Sequence, residues 1–264
     1  MATPVVFIHG LWLHATSWQN WIELFREAGY EPIAPEWPGG SATVAEARAN
    51  PDAVAGHGIK SVADHYAQII EGLEQKPVVV GHSFGGLFVQ NLVGRGLTAA
   101  GVAIDPAPIK GVLALPLSSL RVASVALRNP ANLKHAVSLT KEEFRYGFGN
   151  ALSETESAEL YERWTIPSPG RPLFEAAFAN FTPGSPAKVD TGNADRGPLL
   201  LISGGNDHSA PPAIVKATLK RYATSAAVTE IREFTDRGHS LTVDNGWREV
   251  AQTSVDWLKE HSIT

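Results

Sequence analysis

The chain has 264 residues, of which 44% are hydrophobic and 19% charged, and its formal net charge is −5 at pH 7. This length suffices for one large α/β domain or two small ones, and the composition is ordinary for a soluble globular protein. The net charge gives no reason to expect a nucleic acid or an anionic membrane as a partner. Because cysteine is absent, disulfides, thiolate chemistry and zinc–thiolate sites are excluded.

The N-terminal residues Met1 to Pro4 lead directly into a predicted strand, without the basic region and cleavage site of a signal peptide. No apolar run approaches the roughly 18–20 residues of a membrane span. We therefore expect a cytoplasmic protein that is a monomer or a homodimer.

The first part of the chain alternates between predicted strands and helices. Short runs of β-branched and aliphatic residues predict buried strands at residues 5–8, 33–34, 77–80 and 102–104. Apolar residues at helical spacing predict a helix from about Ser17 to Gly29 and another after Ser61, which is typical of a helix N-cap. Between them, residues 41–60 are polar and predict a long loop with at most one helical turn.

Residues 109–195 break this alternation, because they contain no clear strand and many prolines. Helical spacing within them predicts short helices around residues 120–127, 141–148 and 154–164. We interpret this region as a helical insertion and not as an independent domain. The alternation then resumes with predicted strands at residues 199–202 and 230–234 and predicted helices at residues 213–222 and 247–260.

Strands that are apolar throughout and alternate with amphipathic helices predict an α/β fold. We expect a predominantly parallel sheet of about six strands with helices on both faces. Residues 1–108 and 196–264 would form this core, and residues 109–195 the insertion. In such a sheet, functional residues collect beyond the carboxyl ends of the strands.

One motif lies directly beyond the carboxyl end of a predicted strand. The stretch Gly81-His82-Ser83-Phe84-Gly85 has the Gly-x-Ser-x-Gly pattern and connects the third predicted strand to a helix. This context is typical of a nucleophile elbow, in which a serine occupies the tip of a strained turn. A glycine-rich turn that merely contains a serine is the simpler alternative, but the context favours Ser83 as a catalytic nucleophile.

Two further residues follow later strands and complete a catalytic set. A serine hydroxyl is a weak nucleophile, so an imidazole must take its proton and a carboxylate must orient that imidazole. His239 follows the last predicted strand, and Asp207 follows the strand before it. Asp105, at the end of the fourth strand, is the alternative acid, and Asp236 is a weaker alternative.

A developing oxyanion needs hydrogen-bond donors, and two backbone amides are suitably placed. Phe84 directly follows the nucleophile, and Leu11 lies in the loop after the first strand. We therefore predict that the N–H groups of Leu11 and Phe84 form the oxyanion hole. His9, in the same loop, is interpreted as a buried histidine that fixes the loop through hydrogen bonds.

With these residues assembled, the chain resembles the α/β-hydrolase superfamily, in particular its small serine esterases with His-Gly after the corresponding strand. The resemblance rests on His9-Gly10, the elbow at Gly81–Gly86, and the order Ser83, Asp207, His239. It implies hydrolysis through an acyl-enzyme on Ser83, and it implies that residues 109–195 form a cap. The family's sheet commonly begins with two further strands that form an antiparallel edge; because only three residues precede the His-Gly strand, we expect this chain to lack that edge.

The sequence indicates no cofactor, because neither a His-Glu-x-x-His zinc pattern nor a Gly-x-Gly-x-x-Gly dinucleotide pattern is present. The expected substrate is a small ester or lactone with an apolar or aromatic part, bound by pocket residues that include Trp12, Leu241 and Trp164. The alternatives are a hydrolase or lyase that cleaves carbon–carbon bonds with the same residues, and a ligand-binding or sensor protein on the same fold.

Overall fold

The computed structural model describes residues 2–264, so that Met1 of the predicted N-terminal run lies outside the described residues. The strands in this part of the chain are β1 (Pro4–Ile8), β2 (Glu31–Ile33), β3 (Val78–His82), β4 (Ala100–Ile104), β5 (Ala136–Val137), β6 (Ser168–Pro169), β7 (Leu199–Gly204) and β8 (Thr229–Phe234). The helices are α1 (Gln19–Glu27), α2 (Val44–Ala49), α3 (Ile59–Glu71), α4 (Phe84–Gly94), α5 (Leu117–Leu127), α6 (Lys141–Gly147), α7 (Glu154–Trp164), α8 (Arg171–Ala177), α9 (Pro212–Arg221) and α10 (Trp247–Glu260). No helix within residues 2–264 is long and apolar enough to cross a membrane.

Six of the strands form one sheet in the order β2-β1-β3-β4-β7-β8, and every neighbouring pair is parallel. The prediction of a parallel six-stranded sheet is therefore confirmed. The chain runs outward from β1 to β2 and then returns to place β3 on the other side of β1. The loops after β1 and β3 consequently diverge, which leaves room for a site at the carboxyl ends of these two strands.

Both faces of the sheet are buried, because residues of the same strand alternate between two apolar clusters. Val6 of β1 belongs to the cluster that contains Tyr66 of α3. Its neighbour Phe7 faces the opposite cluster, which contains Trp21 of α1 and Trp257 of α10. This is why the strands of the sequence are continuously apolar and not alternating.

The region predicted as a loop, residues 41–60, contains more structure than expected. Thr43 caps α2 by accepting a hydrogen bond from the Glu46 N–H at 3.2 Å. Ser61 caps the next helix, but not from the N-cap position that the sequence predicted: α3 begins at Ile59, and the Ser61 hydroxyl in its first turn accepts a hydrogen bond from the Gly58 N–H at 3.0 Å. The Ile59 N–H donates to the Glu175 carboxylate at 2.6 Å, a contact across 116 residues that the local sequence cannot reveal.

Residues 109–195 form the helices α5 to α8, together with a short antiparallel pair made by β5 and β6. The helix α8 was not predicted. Trp12, in the loop after β1, donates its indole N–H to the Val137 carbonyl of β5 at 3.0 Å. This contact holds the segment 109–195, below called the inserted segment, against the carboxyl end of β1.

Replacing Phe7 by Ala should destabilise the protein by about 3–5 kcal/mol, because the ring is fully buried and packs on Trp18 and Phe25 with centroids 5.0 and 5.1 Å away. The matched control is Phe178→Ala, at a half-exposed position, which should change the free energy of unfolding by less than about 1 kcal/mol. Urea unfolding measures both, and equal losses for the two variants would contradict this account of the core.

Candidate active site

Ser83 lies between β3 and α4 with φ 57° and ψ −119°, a conformation that residues with a side chain rarely adopt. Backbone hydrogen bonds hold this strained turn, since the Ser83 N–H donates to the Ile104 carbonyl and the Ser83 carbonyl accepts from Ala107, both at 2.9 Å. A Cβ atom at Gly81 would overlap the carbonyl group of Gly85. Position 81 therefore has room only for glycine.

His239 and Asp207 are buried and in direct contact, with Nδ1 of the imidazole 2.6 Å from Oδ2 of the carboxylate. The other oxygen of Asp207 accepts hydrogen bonds from the N–H groups of Ser209 at 2.6 Å and Ala210 at 2.9 Å. Among the described residues, Nε2 of His239 has no hydrogen-bond partner, and it forms no bond to Ser83 in this state. Asp207 thus orients the imidazole through Nδ1, and Nε2 remains available for a hydrogen bond.

Asp105, the alternative acid, lies farther from the imidazole, with Oδ2 3.9 Å from Nδ1 of His239. Its Oδ1 accepts a hydrogen bond from the Gly204 N–H at 2.7 Å, which joins the ends of β4 and β7. Complete burial raises the pKa of Asp105 well above its usual range, and the neighbouring Asp207 raises it further. Asp207, at 2.6 Å against 3.9 Å for Asp105, is therefore favoured as the partner of the imidazole. The other alternative, Asp236, has a largely exposed side chain.

The ring of His239 is held between two other rings. The centroid of His82 is 4.5 Å away and that of Phe148 is 4.8 Å away. Nε2 of His82 donates to the backbone carbonyl of His239 at 2.8 Å. Burial lowers the pKa of His82 well below its usual range, so this side chain is a neutral support for the loop that carries His239.

One group in the described chain has spacing compatible with a metal ion, namely His82, Asp105 and His239, whose potential ligand atoms lie within 4.8 Å of one another. However, one nitrogen of each histidine is already engaged, that of His82 by a backbone carbonyl and that of His239 by Asp207. Such an engaged N–H leaves the lone pair of the other ring nitrogen available, and Nδ1 of His82 and Nε2 of His239 have no hydrogen-bond partner among the described residues.

The loop after β1 approaches the elbow closely. A Cβ atom at Gly10 would lie 2.7 Å from Cβ of Ser83, so only glycine allows the loop to pass here. This brings Leu11 beside Ser83 and Phe84 on one cavity wall. In the part of the chain that the structure describes, neither the Leu11 N–H nor the Phe84 N–H donates to another group. Both predicted oxyanion donors are therefore unengaged.

His9 fixes this loop, in agreement with its interpretation from sequence. Its Nδ1 lies 2.8 Å from the Gly10 carbonyl, and its Nε2 lies 3.1 Å from the carboxylate of Glu36. Glu36 also contacts His14 at 3.0 Å and accepts a hydrogen bond from the Ala15 N–H. Sequence reasoning missed Glu36, although its position in the loop directly after β2 places it at the same edge of the sheet.

A cavity of about 450 Å³ opens onto these residues. Ser83, His239, Leu11 and Phe84 line one side of it, together with Trp12 as predicted. The inserted segment supplies most of the remaining lining, chiefly aliphatic side chains of α5 and of the loop that precedes it. Apart from His239, no titratable side chain of residues 2–264 lines this cavity.

Two residues predicted for the pocket lie elsewhere. Leu241 is fully buried in the apolar cluster on the opposite face of the sheet, because the turn after His239 directs it inward. Trp164 ends α7 and is buried in the same apolar cluster as Val6 and Tyr66, and it does not line the cavity. The prediction for Leu241 relied on its proximity to His239 along the chain, and that for Trp164 on the high aromatic content of residues 109–195. Neither feature determines on which side of the backbone a side chain lies.

Solved structures with the same fold cover nearly the whole chain. A monoacylglycerol lipase from Paleococcus ferrophilus is 23% identical, with a TM-score of 0.66 over 99% of this chain and 97% of that one. A methylesterase from Arabidopsis is 13% identical, with a TM-score of 0.69 over 98% and 99% of the two chains. Tomato methylketone synthase I, complexed with 2-tridecanone, has the same identity, TM-score and coverage values.

A comparison with curated protein sequences found no match. The model of the alpha/beta hydrolase family matches residues 5–253, which include the elbow, the loop after β1 and the His239–Asp207 pair. The chain therefore belongs to the alpha/beta hydrolase family.

Proposed function

We propose that the chain is a serine hydrolase that cleaves a carboxylic ester or lactone with an apolar acyl or alcohol part. The observation that supports this most directly is the state of His239. Its Nδ1 is bound to Asp207, its Nε2 is unengaged, and it lines the same cavity as Ser83 on its strained turn. This arrangement suits an imidazole that takes a proton from a serine hydroxyl.

In the proposed reaction, Nε2 of His239 takes the proton of Ser83 as Oγ attacks the ester carbonyl carbon. Asp207 stabilises the imidazolium, and the N–H groups of Leu11 and Phe84 donate to the negatively charged carbonyl oxygen. Collapse of the tetrahedral intermediate breaks the bond to the alcohol oxygen, which receives the proton from His239. Water then attacks the acyl-enzyme by the same proton transfers and releases the acid. These residues supply all the steps without a metal or another cofactor.

The lining of the cavity supports an apolar substrate. Its volume of about 450 Å³ lies in the range of small-molecule sites, and its walls are mainly aliphatic. A charged substrate would lose hydration there without gaining an ionic partner. The structural relatives fit this picture, since one is named as a monoacylglycerol lipase and another binds 2-tridecanone. Because the inserted segment forms most of the wall, we propose that it acts as a cap that determines specificity.

Fluorophosphonate labelling should add a single adduct to the native protein and none to Ser83→Ala. His239→Ala should slow labelling and ester turnover by at least about 10⁴-fold. Ser83→Ala combined with His239→Ala should turn over esters scarcely more slowly than either single variant, because the two residues act as a unit. Intact-mass analysis measures the adduct. Ser209→Ala is the matched control, since Ser209 also lines the cavity and its hydroxyl donates to the Gly147 carbonyl.

Two other outcomes would point to the alternative functions. A labelled protein that ignores all esters and lactones but cleaves diketones would be a carbon–carbon hydrolase. A folded protein that takes no label, binds apolar ligands and is stabilised by them against heat would be a binding or sensor protein.

Asp207→Asn should lower kcat by about 10³–10⁴-fold, because the amide no longer stabilises the imidazolium and favours the wrong tautomer. Asp105→Asn should lower kcat by less than about tenfold, because the side chain lies 3.9 Å from His239 and an amide keeps its shape and its acceptor for Gly204. Steady-state hydrolysis of a nitrophenyl ester compares the two. The reverse ranking would transfer the role of the acid to Asp105.

The cavity predicts a preference for longer acyl chains. Burial of each methylene contributes about 0.8 kcal/mol, which corresponds to about fourfold in kcat/KM. Nitrophenyl octanoate should therefore be cleaved with a clearly higher kcat/KM than nitrophenyl butanoate. Ala123→Phe places a ring into the cavity from α5 and should abolish this preference while turnover of the acetate is retained. An unchanged chain-length profile in this variant would show that the acyl group does not occupy this cavity.

A further inference from the structure

An exposed apolar surface surrounds the opening of the cavity. Nine large apolar side chains in residues 2–264 are exposed, and six of them come from two stretches of the inserted segment. We call these six the mouth face: Leu113, Leu115, Leu117, Leu120, Phe178 and Phe181, which are between 44% and 84% exposed. Such a concentration of exposed apolar groups is typical of an interaction surface and not of a solvated one.

The mouth face is continuous with the substrate cavity. Four of its side chains also line the cavity, namely Leu113, Leu115, Leu120 and Phe181. The other two, Leu117 and Phe178, lie outside the lining, at the start of α5 and directly after α8. An apolar molecule that enters the cavity therefore crosses only apolar surface. A partner that covers the mouth face would stand directly at the entrance.

The charges along residues 106–128, which carry the four leucines of the mouth face, are positive, although the chain as a whole carries −5. Residues 106–128 contain Lys110, Arg121 and Arg128 and no Asp or Glu. Arg128 is paired with Glu143 at 3.3 Å, but Lys110 and Arg121 have no carboxylate partner within the described chain. Lys110 binds the carbonyls of Thr182 and Pro183, and Arg121 lies 3.7 Å from the centre of the Tyr146 ring.

We propose that the mouth face docks on a phospholipid surface that carries anionic headgroups. Its leucine and phenylalanine side chains would enter the apolar layer while Lys110 and Arg121 remain at the headgroups. A second copy of the chain suits this surface less well, because symmetric pairing would bring like charges together. The use that we assign to docking is the direct transfer of an apolar ester from the lipid into the cavity, and this part of the inference rests on the proposed function. The docking itself does not require catalysis.

The test measures flotation of the full-length chain with phosphatidylcholine vesicles that contain or lack phosphatidylglycerol. The Ser83→Ala background removes any effect of lipid hydrolysis. We expect binding to the anionic vesicles that weakens with added salt, since salt screens the contribution of Lys110 and Arg121. Leu117→Asp combined with Phe178→Asp should reduce the partition coefficient at least about tenfold.

These variants separate docking from folding and from catalysis. An acidic residue is favourable at position 117, the first residue of α5, so Leu117→Asp should fold. The matched control is Val228→Asp, an exposed apolar residue directly before β8, at the amino end of the sheet and opposite the cavity. It should bind vesicles like the parent. With Ser83 restored, both variants should cleave a soluble short-chain ester at the parental rate.

Three results would overturn the proposal: no binding to anionic vesicles, equal binding by the double variant, or a dimer in light scattering that Leu117→Asp dissociates. The last would assign the mouth face to a second copy of the chain. Failure of vesicle binding with intact ester cleavage would leave the proposed function in place. Conversely, vesicle binding without any ester cleavage would leave the docking surface and remove the proposed function.

Discussion

The strained turn at Ser83 is the constraint on which the rest of this molecule depends. A positive φ at a residue with a side chain is unfavourable, and hydrogen bonds to Ile104 and Ala107 compensate for it. These bonds exist only because β3 and β4 are neighbouring parallel strands that end together. The sheet therefore holds the hydroxyl at its carboxyl edge, and the close passage of Gly10 brings the loop after β1 to the same point.

The polar groups behind Ser83 are buried, and burial is costly unless each group is hydrogen-bonded or neutral. The pair of His239 and Asp207 satisfies this condition through direct contact, and His82 through a backbone carbonyl. Asp105 accepts a hydrogen bond from the Gly204 N–H, and its burial and the neighbouring Asp207 raise its pKa well above the usual range. Asp207 is the carboxylate in direct contact with the imidazole.

Apolar surface and charge are distributed unevenly between the sheet and the inserted segment. The net charge of −5 indicates no attraction to anionic surfaces, yet residues 106–128 carry only positive charges and most of the exposed leucines. An average over the chain hides this difference, because electrostatic attraction at a surface depends on the charges within a Debye length of it. The same segment forms the walls of the cavity, so substrate entry and surface properties are determined by one part of the fold.

The sequence by itself determined the six strands of the parallel sheet and the positions of Ser83, Asp207 and His239 at its edge, but not the short pair β5 and β6, because burial and tight turns impose local residue patterns on the sheet. It left the choice between Asp207 and Asp105 open, since both follow strands, and only the distances of 2.6 and 3.9 Å to His239 separate them. Contacts between distant residues were equally hidden, such as Glu36 beside His9 and Glu175 at the start of α3. The tertiary structure alone decided that Leu241 lies in the core and that the leucines of residues 113–120 lie at the cavity mouth. The reason is that the direction of each side chain depends on the path of the backbone and not on the order of the residues.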